Sequence, residues 1–315
     1  MRKDFPLSIV YIFATLAMFF WSIAFIWVQQ SLEAGFRPLT IIFLRLLVAS
    51  IVLTVVTKLF RIKEKIAQED RKWIFILAFC EPFCYFLGET FGMLFVTATT
   101  ASVIVSTIPL ITPIFAWFLI HEKVNIYEII GLIISFLGVL VLVVEDLNIG
   151  GKLIGFVLMF IAVISGTGYG ITLKKLTDNY TALTITKFQT IIGMLLFMPL
   201  FLIFDLKQYF SEPINLYSLK HIILLGLFPS SISFTFLAIV VRKIGVVRAN
   251  VFSYLIPVFT AILAYYILGE KFSESKIIAI LIVIFGLIIS QLHKFEFSRR
   301  YKQFQSKRLE GSIKK

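Results

Sequence analysis

Long apolar runs alternate with short polar or charged breaks along almost the whole chain. A helix needs about 20 mostly apolar residues to cross the roughly 30 Å hydrocarbon layer of a bilayer. Ten runs approach or reach that length, so the pattern predicts an all-α integral membrane protein with ten transmembrane helices. The predicted spans are Leu7–Gln30, Pro38–Thr57, Trp73–Phe95, Ala101–Ile120, Ile126–Val144, Leu153–Leu173, Leu183–Phe204, Leu219–Val241, Ala249–Leu268 and Ser275–Leu292.

The composition supports a membrane setting. Of the 315 residues, 59 % are apolar and 15 % are charged, whereas a soluble domain is about 45–50 % apolar and about 25 % charged. The first run is longer than the core of a signal peptide and no small-residue cleavage site follows it, so we expect it to stay in the mature protein. Cys80 and Cys84, one helical turn apart, are interpreted as small packing residues.

The net charge of +12 raises the question of an acidic partner. With the N-terminus in the cytoplasm, 22 of the 30 Lys and Arg residues fall on cytoplasmic segments, 6 face outward and 2 lie within spans. This positive-inside bias predicts that both termini are cytoplasmic, and the short loops favour a bacterial or archaeal inner membrane. The basic tail is therefore interpreted as a topology signal or a contact with anionic lipid, and not as a nucleic-acid site.

An internal repeat is visible at an offset of 148 residues, where "PLITPIFAWFLIHEK" from Pro109 matches "PVFTAILAYYILGEK" from Pro257. A weaker match at an offset of 144 pairs Arg45 with Gln189. Each copy covers five spans, and because five is odd the second copy must enter the membrane inverted. The predicted units are a first repeat at 1–147, a second, inverted repeat at 148–293 and a basic cytoplasmic tail at 294–315.

Prolines interrupt corresponding spans of the two halves. Pro82 and Pro229 lie in spans three and eight, and Pro109 and Pro257 lie in spans four and nine. Each proline removes a backbone donor and loosens its helix. Because inverted-repeat transporters place their substrate site near the midplane at the repeat interface, we expect helix breaks there. Kinks that only ease packing are the alternative.

Three motifs resemble a known family. They are the "[GH]-E-K" endings of spans four and nine, "FLRLLVAS" around Arg45, and "FGMLFVTATTASVIVSTIP" between spans three and four. Together they resemble the EamA family of the drug/metabolite transporter superfamily over nearly the whole chain. The resemblance implies a ten-helix pump or facilitator with cytoplasmic termini, often an exporter of amino acids or other small metabolites. One departure is His121, which stands where the second repeat has Gly269.

Span three carries two carboxylates, Glu81 and Glu89, at a depth where water is scarce. A carboxylate at the bilayer centre costs about 2.5–3.5 kcal/mol, so this face must meet protein partners or water. On a straight helix the two glutamates share one face with other polar or small residues. That face comprises Glu81, Cys84, Tyr85, Gly88, Glu89 and Gly92.

Depth along the spans indicates which charges could pair. Glu89 and Arg45 lie at similar depths, so an ion pair between them is feasible, whereas Glu81 has no cation at its level except Lys187, which can extend to the surface. We hypothesise that Glu81 couples transport to protons or binds a substrate amino group, while Arg45 and Glu89 line the outer cavity. A static network joining helices two and three is the alternative. The other candidate binding residues are Trp21, Tyr85, Tyr169, Gln189 and Tyr254.

The sequence shows no pattern of residues typical of a catalytic site. The histidines His121, His221 and His293 lie in separate segments, and no nucleophile–base pair, metal motif or phosphate-binding loop is recognisable. We therefore predict a secondary transporter, without cofactor or metal, that exports or facilitates movement of amino acids or related amines by alternating access. A flippase for a lipid or lipid-linked metabolite is the alternative. We expect a monomer, with a dimer as the second option; a zwitterionic and a cationic substrate both remain open.

Overall fold

The computed structural model describes residues 5–112, 115, 126–148, 152–211 and 216–289. This part of the chain is helical, with turns and loops but no strand. His121, Glu122 and Lys123 and the basic tail at 294–315 lie outside the described residues. The α-helices are α1 Leu7–Glu33, α2 Pro38–Leu59, α3 Arg71–Ala78, α4 Tyr85–Gly92, α5 Ala98–Val105, α6 Ile126–Asn148, α7 Leu153–Thr177, α8 Ala182–Phe204, α9 Leu206–Ser211, α10 Leu216–Leu227, α11 Phe234–Ile244, α12 Val246–Val251, α13 Leu255–Leu263 and α14 at 274–289.

Seven helical stretches among the described residues are long and apolar enough to cross a membrane, and two shorter apolar helices accompany them, Ala98–Thr112 and Ile129–Val144. The prediction of an all-α, multi-pass membrane protein is therefore confirmed, while the count of ten spans and the inversion of the repeat stay predictions. The seven stretches are Leu7–Glu33, Pro38–Leu59, Gln68–Gly92, Leu153–Thr177, Ala182–Phe204, Leu219–Ile244 and Arg248–Leu268.

Two of these stretches are interrupted near their middle by π-helical segments. Phe79–Cys84 contains Pro82 and separates α3 from α4, and Phe228–Ser233 contains Pro229 and separates α10 from α11. At Glu81 the backbone is extended, with φ −145° and ψ 118°, because the proline that follows cannot donate to the helix. Span three therefore consists of two helices. The prediction that Glu81 and Glu89 lie on one face of a single straight helix is wrong at Glu81.

The other two prolines also follow local irregularities. Pro109 lies just after the turn at 106–107 that ends α5. Pro257 occupies the third position of α13, directly after the 3-10 turn Phe252–Tyr254. A proline in the first turn of a helix removes only a donor that has no intrahelical acceptor, so both positions suit it.

The helices α2 and α8 pack side by side in opposite directions, and an acidic residue joins them at each end. Asp205, just after α8, accepts hydrogen bonds from the backbone N and Oγ1 of Thr40, both at 3.0 Å. Glu64, beyond the end of α2, accepts from the backbone N and Oγ1 of Thr181, both at 2.8 Å. Each carboxylate thereby satisfies donors at the positive end of the other half's helix. We call these contacts the reciprocal clamps.

Small residues bring α4 and α7 into close contact. A Cβ atom built on Gly88 would lie 2.8 Å from the backbone N of Ala162 and would overlap the carbonyl oxygen of Leu158. Both atoms belong to backbone, so neither can move away without shifting α7. Glycine is therefore required at 88 to place α4, and with it Glu89, against α7.

Replacing Gly88 with alanine is expected to lower the thermal unfolding midpoint by several degrees, because overpacking typically costs about 1–3 kcal/mol. Unfolding of the detergent-purified protein, followed by the loss of its monodisperse peak after heating, measures this. Gly170→Ala is the matched control on α7, since its Cβ would meet Val246 Cγ1 at an ordinary 3.6 Å. Equal midpoints for the two variants would contradict the close contact.

Candidate functional site

A cavity of about 790 Å³, including the open space at its mouth, lies among α1, α2, α4, α5, α7, α11 and the region from α12 to α13. Its walls are mostly aromatic and aliphatic, but three charged side chains face it. Six of the eight candidate binding residues line it: Trp21, Arg45, Glu81, Tyr85, Glu89 and Tyr169.

Arg45, on α2, is the largest fully buried polar side chain described, with 1 % of its surface exposed. Its Nε donates to Ser230 Oγ at 3.0 Å, and its guanidinium carbon lies 4.1 Å from the ring centroid of Phe86. Its Nη1 lies 3.9 Å from Glu89 Oε2, which is an ion-pair distance but too long for a hydrogen bond. Among the described residues Nη1 has no hydrogen-bond acceptor, so the cavity wall holds an unsatisfied cationic donor.

Glu89, on α4, is already engaged by the protein. It is 6 % exposed, forms the predicted ion pair with Arg45, and accepts a hydrogen bond from the Tyr85 hydroxyl one turn earlier. This carboxylate therefore neutralises the buried guanidinium, which would otherwise be costly to hold in a low-dielectric interior.

Glu81 lies at the break between α3 and α4 and is 7 % exposed. Its carboxylate interacts electrostatically with Glu89 and Arg45, but it accepts no hydrogen bond from the residues that the structure describes. The cation that acts on Glu81 is Arg45, whereas depth along the spans pointed to Lys187. Lys187 instead lies over the ring of Phe188, 4.6 Å from its centroid.

Two candidates, Gln189 and Tyr254, are absent from the cavity wall. Gln189 is buried behind the wall, where its Oε1 lies 3.5 Å from the hydroxyl of Tyr169, so it can orient that ring. The ring of Trp21 packs edge-to-face against Phe234, with centroids 5.4 Å apart.

Sequence reasoning missed three polar residues at the site. Ser230 holds Arg45, and Asn250 and Ser253 line the cavity near α12. The serines that follow Pro229 in "FPSSIS" were a usable signal, because a hydroxyl beside a helix break faces unsatisfied groups. Asn250 and Ser253 carried no pattern that distinguishes them from ordinary loop residues.

The cavity is asymmetric along the membrane normal. We call the face at which α1 begins the N-side and the opposite face the far side. The wall residues Leu173 and Val241 lie toward the N-side ends of α7 and α11, and Val246 begins α12. The wall runs from Arg45 and Glu89, in the far-side half of their helices, through the middle to these residues, so the cavity reaches further toward the N-side end than toward the far-side end.

A model of the family described as "EamA-like transporter family" matches residues 8–144 and again residues 153–291. The chain belongs to this family. The resemblance seen in the sequence is confirmed, and members of the EamA family are transporters, so a transporter role follows for this EamA protein as well.

Curated relatives of this EamA protein carry the same kind of description. The chain is 26 % identical over 260 residues to "Uncharacterized transporter YetK" of Bacillus subtilis (strain 168), covering 80 % of this chain and 77 % of that protein. It is 24 % identical over 279 residues to an "Uncharacterized transporter" of Archaeoglobus fulgidus, covering 89 % and 97 %. A crystal structure at 18 % identity, with a TM-score of 0.63, covers 89 % of this chain and 98 % of the other, which supports the fold.

Proposed function

We propose that this EamA protein is a secondary transporter that moves amino acids or related amines across the cytoplasmic membrane by alternating access. One observation carries the proposal. The same buried cavity holds a guanidinium N–H of Arg45 without an acceptor and the Glu81 carboxylate without a hydrogen-bond donor, among the residues described. A bound substrate would supply both missing partners.

A zwitterion fits this arrangement better than a cationic amine. Its carboxylate would accept from Arg45 Nη1 and its ammonium would donate to Glu81, so both buried groups would be satisfied. An amine would pair with Glu81 and leave the Arg45 donor without an acceptor. Since Phe25, Val105 and Ile108 contribute apolar wall around these groups, an amino acid with an uncharged side chain suits the site.

The proposal of alternating access depends on an inverted repeat. Two observations support a repeat of two related units. The family model matches the chain twice, at 8–144 and 153–291, close to the proposed units 1–147 and 148–293. The reciprocal clamps use the same chemistry at opposite ends of α2 and α8. Five spans in each unit, an N-side in the cytoplasm and a lipid-contacting tail at 294–315 complete the proposed topology.

Efflux from proteoliposomes tests the proposed function. Vesicles loaded with a mixture of amino acids and amines are incubated with and without an imposed pH gradient, and the released compounds are identified by mass spectrometry. We expect selective release of zwitterionic amino acids, and a dependence on the gradient if protons are coupled. No release above protein-free vesicles, with movement of labelled lipid between leaflets instead, would favour a flippase.

Ser230 is expected to act through Arg45 as a positioning residue. Ser230→Ala removes the acceptor of Arg45 Nε, so the guanidinium can rotate away from the substrate. We expect KM for the amino acid to rise about 5- to 10-fold, consistent with the net contribution of about 1 kcal/mol from one hydrogen bond. Maximal rate should change little, and Ser230→Thr should restore KM. A merely structural role would lower the amount of folded protein and leave KM unchanged. Concentration-dependent counterflow measures both quantities.

A further inference from the structure

A cluster of charged and polar groups joins the two halves of the chain at the far side. It comprises Thr97 and Thr99, at the beginning of α5, Glu270, in the loop that follows α13, and Lys276, in the first turn of α14. We call it the far-side latch. Its two pairs of residues are more than 170 positions apart in the chain, yet they are in direct contact.

The contacts of the latch are specific. Lys276 Nζ donates to Thr97 Oγ1 at 2.9 Å and lies 3.8 Å from Glu270 Oε2. The other carboxylate oxygen of Glu270 accepts from the backbone N of Thr99 at 3.4 Å. Thr97 also caps α5 by accepting from the backbone N of Thr100 at 3.3 Å. Glu270 therefore supplies a negative charge at the N-terminus of a helix from the other half, where such a charge is favourable.

The latch is withdrawn from water. Lys276 is 4 % exposed, and lysine is rarely buried to this extent unless it is paired. In such a setting the partners depend on each other, because removing one leaves the other charge buried without compensation. We therefore expect the contacts of the latch to form and break together.

The latch joins the beginning of α5 to the segment that follows α13, and both α5 and α13 contribute to the cavity wall. Val105 and Ile108 on one side and Ile256 on the other line it below the latch. A substrate leaving toward the far side would have to pass between α5 and α13, so their far-side ends must separate. In the present structure the latch holds the far-side end of α5 to the segment that follows α13.

The N-side lacks the corresponding group at one position. The 148-residue offset pairs Thr97 with Gly245, which precedes α12 with φ +82°. Gly245 has no hydroxyl and the same offset pairs Lys276 with Glu128, so the sequence does not repeat the Lys276–Thr97 contact on the N-side. The cavity wall reaches this point through Val246. Closure of one end and extension of the cavity toward the other describe one state of a two-state transporter.

We propose that the far-side latch is the gate that keeps the cavity closed to the far side, and that it opens and re-forms once in each transport cycle. The proposal rests on the alternating access put forward above. Breaking the latch shifts the population toward the far-side-open state, because its contacts exist in only one of the two states.

Thiol accessibility tests the gate. Ile108→Cys, in a background with Cys80→Ser and Cys84→Ser, is labelled from the far side of oriented vesicles with a membrane-impermeant maleimide. Lys276→Met is expected to raise the labelling rate about tenfold, because we expect it to raise the ratio of far-side-open to far-side-closed protein about tenfold. Lys271→Met is the matched control, since Lys271 is an exposed lysine of the same loop, and it should leave the rate unchanged.

Glu270→Gln should raise the labelling rate in the same way. It replaces Lys276→Met in the experiment if Lys276→Met does not yield folded protein. Equal labelling of the two lysine variants, with both monodisperse after purification, would overturn the gate. Because labelling requires no substrate, the two proposals fail separately. Latch-dependent labelling without efflux supports the gate and rejects the proposed substrates, whereas efflux with labelling unaffected by the latch supports the substrates and rejects the gate.

Discussion

Replacing Glu81 with glutamine is expected to reduce kcat/KM for a zwitterionic amino acid about 10- to 100-fold. Glutamine keeps the size of the side chain but removes the charge, and a hydrogen bond to a charged group contributes about 1.5–3 kcal/mol. The loss should appear mainly in KM, because the ammonium of the bound substrate loses its charged partner. The other carboxylate of the site, Glu89, is already engaged by Arg45 and Tyr85. Counterflow into proteoliposomes over a range of substrate concentrations measures it.

Glu69→Gln is the matched control for this variant, since Glu69 is an exposed acid in the turn that precedes α3 on the same span. If Glu81 also carries the coupling proton, the glutamine variant should lose any response of transport to an imposed pH gradient. Unchanged transport with an unchanged response to the gradient would remove Glu81 from both roles.

Replacing Arg45 with methionine is expected to lower both stability and transport, and a second substitution separates the two effects. Methionine fills much of the same volume but leaves Glu89 buried without its cation, which typically costs about 3–5 kcal/mol. Thermal unfolding of the purified protein should therefore show a clear loss. Transport of a zwitterion should fall about 100-fold, since the substrate carboxylate loses its charged donor.

The double variant Arg45→Met with Glu89→Gln decides between a static network and a binding site. Removing both charges should restore part of the unfolding midpoint, because Glu89 is then no longer a buried charge without its cation. Transport should not recover, since the donor for the substrate is still missing. Recovery of both stability and transport would show that Arg45 and Glu89 only join α2 to α4, as the static alternative requires. In that case a substrate would bind through other groups.

The sequence predicted the membrane fold and the principal charges of the cavity for a simple reason. Apolar runs and buried charges are local signals, and Arg45, Glu81 and Glu89 are conspicuous because charges are expensive inside a bilayer. Even the Arg45–Glu89 pair followed from depth alone, since both residues lie on regular helices. Glu81 did not, because the break at Pro82 changes the direction of the chain.

Partners contributed by distant spans could not be predicted. Ser230 and Lys276 are ordinary residues in their own segments, and their importance comes from Arg45 and Glu270, which reach them only in the folded protein. Asp205 and Glu64 likewise look like ordinary acidic loop residues in the sequence, and their partners Thr40 and Thr181 reach them only in the folded protein. Pairings of this kind depend on which helices become neighbours, and periodicity within one helix carries no such information.

The reciprocal clamps have a consequence for the lipid around the protein. The helices α2 and α8 have 22 and 23 residues, so each spans roughly 33 Å, close to the thickness of a bilayer core. A single helix adapts to a thinner or thicker membrane by tilting or sliding. This pair cannot slide, because any axial displacement would withdraw both carboxylates from their helix ends at once. The clamped pair therefore acts as a rod of constant length, which can match a different bilayer thickness only by tilting as a unit or by deforming the surrounding lipid.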